Sequence, residues 1–79
     1  MPKMIQVISS NIDKIGYDAA TQVVHVQFAN GSTYLYKGVP AHEFENLRNA
    51  ASVGSYLNRN FKNVYPYVVQ FTIRFKEGL

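Results

Sequence analysis

Alternation of apolar and polar residues predicts β-strands in the first half of the chain. In the segment VVHVQF, Val24, Val26 and Phe28 share one face of an extended chain, and His25 and Gln27 lie on the other. The segments MIQVISS and IDKIGYD precede it and TYLYK follows it, all with a β-rich character. The first half is therefore expected to form an antiparallel hairpin or meander.

The segment ANGS between two of these strands indicates a hairpin, because Asn and Gly tolerate the positive φ that such turns need. With a two-residue loop, Tyr34 and Tyr36 face the polar side of the sheet. A three-residue loop, with Gly31 in the left-handed region, places Tyr34 opposite Val26. Tyr36 then lies opposite Val24, and both tyrosines face the core. The binary pattern favours the longer loop and the Asn-Gly pair favours the shorter one, so both registers stay open.

Two short helices are predicted after Val39-Pro40, since proline is tolerated in the first helical turn. Ser52 is suited to cap the second helix, which covers VGSYLNRNFK. Both segments have the three-to-four-residue spacing of an amphipathic helix. The two apolar stripes are Phe44, Leu47 and Ala51, then Val53, Leu57 and Phe61.

The C-terminal segment YPYVVQFTIRFKEGL predicts a long strand over about residues 67–76, with one buried face made of the odd-numbered residues. These are Tyr67, Val69, Phe71, Ile73 and Phe75. The strand is expected to complete the sheet or to pair with another copy of the chain. The whole pattern predicts a single α+β domain over residues 1–79, an antiparallel sheet packed against two short helices.

Composition excludes several classes of protein. Of the 79 residues, 47% are hydrophobic and 16% charged, which indicates a globular chain. There is no cysteine, and no apolar run approaches the roughly 20 residues of a membrane span. We therefore expect a cytoplasmic protein with no membrane partner.

Charge is unevenly distributed along the chain. The net charge is +3, and no acidic residue lies between Glu45 and Glu77. That interval holds Arg48, Arg59, Lys62, Arg74 and Lys76. Such a segment suits an anionic partner, although lone lysines and arginines also simply solvate a surface, and both interpretations stay open.

Enzymatic chemistry has little support in the sequence. His25 falls on a predicted strand and His42 in a first helical turn, with no catalytic triad and no ligand spacing around them. We expect no catalytic residues, no cofactor and no metal ion. Gly54, near the start of the second helix, is expected to allow a close approach of this helix to the sheet or to a ligand.

A binding role is therefore expected, and RNA is the first candidate partner. Cations that contact phosphates and aromatic rings that stack on bases are the residues such a role needs. The candidate site consists of Arg48, Asn58, Arg59 and Lys62 with Tyr56 and Tyr65. The alternative for Tyr56 and Tyr65 is that they pack between helix and sheet. The alternative function is a protein-interaction module, which docks on a larger nucleic-acid-processing or host protein or forms a homodimer through its C-terminal strand.

Several short motifs together resemble the KTSC domain family over about residues 9–65. They are Ile15-Gly16-Tyr17-Asp18, the Tyr34-x-Tyr36 pair, Val39-Pro40, and Ala51-Ser52-x-Gly54-x-Tyr56 with Asn58 and Tyr65. That family is a module at the C-terminus of some lysyl-tRNA synthetases and also occurs as small bacterial or phage proteins. The resemblance implies a small domain of this fold, and the synthetase context implies an RNA-binding role as an expectation. The predicted strand from residue 67 extends beyond the resemblance.

Overall fold

One antiparallel sheet carries the fold in the computed structural model, which describes residues 2–71. Its five strands lie in the order of the sequence, β1-β2-β3-β4-β5. The elements are β1 (Met4–Gln6), β2 (Ile12–Asp18), β3 (Val23–Phe28), β4 (Ser32–Tyr36), α1 (Ala41–Arg48), α2 (Val53–Asn60) and β5 (Tyr67–Phe71). The predicted α+β class, an antiparallel sheet with two short helices, is confirmed.

The β3–β4 hairpin adopts the register of the longer loop. Val26 pairs with Tyr34 and Val24 pairs with Tyr36. Gly31 has a φ of 95°, which an L side chain rarely adopts, and its amide donates to the Phe28 carbonyl at 2.9 Å. Because the turn contains this additional residue, both tyrosines face the inner side of the sheet. The prediction from the binary pattern is therefore correct, and the two-residue alternative is wrong.

The core lies between the inner face of β2, β3 and β4 and the two helices. Tyr17 connects the layers, since its ring stacks on Phe44 of α1 at 5.2 Å and its hydroxyl donates to the Val39 carbonyl at 2.7 Å. Large apolar side chains buried in this way contribute about 1.5–3 kcal/mol each. The buried apolar residues are Ile12, Ile15, Val24, Val26, Tyr36, Val39, Phe44, Leu47, Val53, Leu57 and Phe61.

Both helices are eight residues long and follow the predicted amphipathic pattern, with one exception. Helix α1 ends at Arg48, and Ala51 is exposed in the connection, so its assignment to the first apolar stripe is wrong. The chain leaves the helix at Asn49, and the second helix starts four residues later at Val53. The Ser52 hydroxyl caps that helix and accepts from the Ser55 amide at 3.3 Å, as predicted.

Strand β5 completes the sheet by pairing with β4, at the edge opposite β1. The predicted buried face is wrong for its described side chains, because Tyr67 is 44% exposed and Val69 36% exposed, similar to Val68 on the other face. Among the side chains that the structure describes, all fully buried sheet positions belong to β2, β3 and β4, so the two short helices do not cover the edge strand. The rest of the predicted strand, residues 72–76, lies outside the described residues. In the described range, no helix has both the length and the apolar character that crossing a bilayer requires.

Candidate functional site

A groove of about 590 Å³ opens between helix α2, the β1–β2 connection and the inner face of β4 and β5. Ligand sites commonly have volumes of about 300–1,000 Å³, so the groove has room for a nucleotide. It forms because the edge strand β5 extends the sheet past the helices. The uncovered part of the inner face then becomes its floor.

The floor of the groove is aromatic. Phe28, Tyr34, Tyr36 and Tyr67 all line it. The rings of Tyr34 and Tyr67 stack with centroids 5.1 Å apart and an interplanar angle of 17°, and Phe28 meets Tyr34 edge-on at 4.9 Å. Alternation along β3, β4 and β5 brings these rings to one side, because their pairing register places them in adjacent positions. Tyr67 is the most exposed of the tyrosines in the groove.

A folded loop between β1 and β2 forms one rim of the groove. The Ser9 hydroxyl donates to the Asn11 side-chain oxygen at 3.1 Å and accepts from the Ile12 amide at 3.3 Å. This loop lies against the start of α2, where a Cβ on Gly54 would come within 3.2 Å of the Asn11 Oδ1. The close approach expected of Gly54 is therefore made to this loop.

Helix α2 forms the opposite wall. Gly54 and Asn58 lie one turn apart on α2, beside its buried row, and Lys62 follows in the turn after the helix ends at Asn60. None of the described residues that line the groove is Asp or Glu. The groove therefore offers an ammonium group and a carboxamide with no opposing carboxylate.

The structure brings two of the six predicted site residues, Asn58 and Lys62, into this groove. Arg59 lies two residues after buried Leu57, about 200° around the helix, and is exposed on the solvent side. Arg48 lines a separate cavity of about 390 Å³ beside β1 and pairs with Glu45 at 3.6 Å. The predicted basic residues therefore do not form one continuous surface.

Tyr56 and Tyr65, the two predicted aromatic residues, lie on the other side of α2, half-buried against the core. The Tyr56 hydroxyl donates to the Glu43 carboxylate of α1, and this hydrogen bond, followed by burial, raises the pKa of Tyr56. Tyr65 packs on Phe61 with ring centroids 5.1 Å apart, and burial raises its pKa. Tyr56 therefore links α2 to α1, and Tyr65 packs on the core residue Phe61. This is the packing role that the sequence offers as the alternative.

The two histidines lie on different elements of the part of the chain that the structure describes. His25 faces the outer side of the sheet opposite Leu35, and burial lowers its pKa, with Asp18 acting in the opposite direction. His42 is exposed in α1. Among residues 2–71, no three Asp, Glu, His or Cys side chains lie together in a way that could hold a metal ion.

Four residues that line the groove are not among the site residues that the sequence predicts: Ser9, Asn11, Tyr34 and Tyr36. The loop and α2 are more than 40 residues apart in the chain, so no local spacing shows that they meet. The sequence leaves open whether the two tyrosines face the core or are displayed, and Tyr36 is both buried and part of the groove.

Several known proteins are similar to this chain in sequence or in fold. A model of the KTSC domain matches residues 8–65. A protein of Tsukamurella paurometabola is 44% identical over 55 residues, which cover 70% of this chain and 82% of its own. The crystal structure of a KTSC domain protein from Yersinia pestis matches with a TM-score of 0.82 and 31% identity, over 86% of this chain and 96% of that chain.

A longer protein contains a similar segment. A lysine–tRNA ligase of Nostoc punctiforme is 34% identical over 58 residues, which cover 73% of this chain and 10% of the ligase. The chain thus corresponds to a tenth of that enzyme's length. The family match spans most of the described strands and both helices, and the resemblance found in the sequence motifs is confirmed: the chain belongs to the KTSC domain family.

Proposed function

We propose that this domain is a non-catalytic binding module for single-stranded RNA, and that the RNA lies in the groove between α2 and the aromatic inner face of β4 and β5. The observation that supports this best is the combination of stacked aromatic rings with a wall that carries Lys62 and no carboxylate. We assign the module to the cytoplasm as part of the same proposal.

Stacking is the first contribution to binding. A base that stacks on an aromatic side chain gains about 1–3 kcal/mol, largely independent of its identity. Tyr67 is 44% exposed and lines the groove, so one face of its ring is accessible to a base. Tyr34 stacks behind it at 5.1 Å and limits its movement, which reduces the entropy that Tyr67 loses on binding.

Electrostatic attraction is the second, smaller contribution. Lys62 is the one cation among the described residues that line the groove, although the net charge of +3 favours approach of an anion. Each phosphate contact with single-stranded nucleic acid contributes about −0.7 to the log–log slope of affinity against salt. With one or two contacts, we expect weak binding and a slope of about −1.

The relatives support an RNA partner. A segment similar to this chain is part of lysine–tRNA ligases, enzymes whose name specifies an RNA. The same module as a separate small chain is expected to keep the groove and bind RNA by itself.

Fluorescence anisotropy with a labelled single-stranded RNA tests the proposal. We expect Lys62→Ala and Asn58→Ala each to reduce affinity severalfold, because both side chains line the groove. Arg59→Ala is the matched control, since it removes a cation three residues from Lys62 that lies on the solvent side of α2. Failure of RNA to bind at low salt, or equal losses for all three variants, contradicts the proposal.

A second candidate function is self-association or docking on a larger protein through β5. The outer edge of this strand is unpaired within the described residues, and Val68 and Val69 are exposed beside it. Sedimentation equilibrium tests self-association: we expect Val68→Lys to shift a dimer to monomer, while Val64→Lys, exposed outside the strand, does not. A wild-type chain that is monomeric at every concentration contradicts self-association through this edge.

A further inference from the structure

Tyr36 differs from the other core residues because it belongs both to the core and to the groove. Its side chain is only 3% exposed, with its ring edge-on to Phe61 at 5.5 Å, yet it lines the groove. Among residues 2–71 no hydrogen bond of its hydroxyl is found, and no buried side-chain polar atom there lacks a partner. The groove is the cavity that Tyr36 lines, so the hydroxyl has access to a molecule bound there.

The other buried polar side chain on this face has a partner of its own. Ser32 is 7% exposed, and its hydroxyl donates to the Asn30 side-chain oxygen at 2.7 Å. Two further tyrosine hydroxyls also have acceptors, Tyr17 at the Val39 carbonyl and Tyr56 at Glu43. Against this pattern, neither the donor nor the acceptor of the Tyr36 hydroxyl is used among residues 2–71, so both can serve a molecule in the groove.

We propose that the groove receives one unstacked nucleobase, with the Tyr36 hydroxyl as the hydrogen-bonding group at its base. The inference rests on the proposed function and specifies which part of the RNA enters. The base stacks on the exposed ring of Tyr67 and presents its polar edge to Tyr36. Asn58 on α2 and Lys62 just after this helix face the sugar and phosphate.

The ionisation of Tyr36 is consistent with this role. Burial, followed by the neighbouring Tyr67 and Tyr34, raises the pKa of Tyr36 to about 12. The hydroxyl therefore stays protonated throughout the physiological range, and it repels no phosphate. A neutral hydroxyl donates a hydrogen bond to a base edge or accepts one from it. A base whose edge cannot make this bond leaves the hydroxyl without a partner and therefore binds with lower affinity.

The test uses a six-residue RNA backbone that carries one base among abasic residues, with each of the four bases in turn, and the fully abasic backbone. All probes have the same charge, so differences in anisotropy titrations report the base alone. We expect at least one base to increase affinity about tenfold or more through stacking and hydrogen bonding. Tyr36→Phe should remove about fivefold of this gain, the effect of one hydrogen bond, and leave the abasic backbone unaffected.

Tyr65→Phe is the matched control, because it removes a tyrosine hydroxyl outside the groove. If RNA binds but the base adds nothing, or if Tyr36→Phe binds as the wild type does, the inference is overturned while the proposed function stands. If no RNA binds, the proposed function fails, and titration with nucleoside monophosphates by NMR decides the inference separately. Shifts in groove amides that Tyr36→Phe reduces then support it, and unchanged spectra overturn it.

Discussion

Replacement of Tyr36 by phenylalanine tests where its hydroxyl lies, independently of any ligand. At neutral pH, Tyr36→Phe should change the free energy of unfolding by less than about 0.5 kcal/mol, because the hydroxyl has no partner among the described residues to lose. The ring keeps its edge contact with Phe61. A much larger loss at neutral pH would mean that the hydroxyl is bonded inside the core.

At alkaline pH the wild type and the variant should diverge. The pKa of Tyr36 is raised from 10.0 to about 12 by burial, so the unfolded chain ionises first. The contribution of the protonated Tyr36 hydroxyl to the stability of the fold is complete below about pH 10 and is lost as the pH rises through about 12. At about 1.4 kcal/mol per pKa unit, this contribution is at most about 2.7 kcal/mol. Since the hydroxyl opens into a solvated groove, screening reduces the expected loss to about 1–2 kcal/mol.

Urea denaturation of both proteins at neutral pH and near pH 11 measures this difference directly. Tyr56 and Tyr65 also have raised pKa values, but they titrate in both proteins and cancel in the difference. The wild type should lose more stability than Tyr36→Phe by about 1 kcal/mol near pH 11. Parallel losses in the two proteins would refute the buried placement of Tyr36.

Three further substitutions test the fold by denaturation. Phe61→Ala removes a fully buried ring at a cost of about 3–5 kcal/mol, comparable to the whole stability of a domain this small, so a cooperatively folded variant contradicts the assigned core. Ser52→Ala should cost about 1 kcal/mol through loss of the α2 cap, and an unchanged midpoint argues against that cap. Tyr56→Phe breaks the link to Glu43 and should cost about 1 kcal/mol, whereas Tyr65→Phe should cost less; equal effects contradict the link.

Local sequence signals predicted the elements that local physics determines. The cap at Ser52, the change to helix after Pro40 and the inward face of Val24 and Val26 each depend on nearby residues, and the structure has all three. The hairpin register was the harder case, because turn preference and binary pattern disagreed. The hairpin has the register that buries the face including Tyr36, since a slip of one residue would expose that whole face.

The site was less predictable because it depends on how far one layer covers another. Alternation around Tyr67 indicated a buried strand face, but helices of eight residues, about 12 Å long, leave the edge strand open. That gap became the groove. Its rim joins Asn11 to Gly54, residues far apart in the chain, so only the folded arrangement shows them together. Of the predicted basic residues, Lys62 lines the groove just after α2 ends, and Arg59 is on the solvent side of α2.

Chemical-shift mapping of the backbone amides during titration with single-stranded RNA tests the central claim most directly. RNA bound in the groove should shift a cluster that is scattered in sequence but continuous in space, at Ser9, Asn11, Gly54, Asn58 and Tyr67. The amide resonances of residues whose side chains lie on the outer face of the sheet should not shift. Spectra that do not change at saturating RNA, or shifts confined to the outer face, would contradict the account.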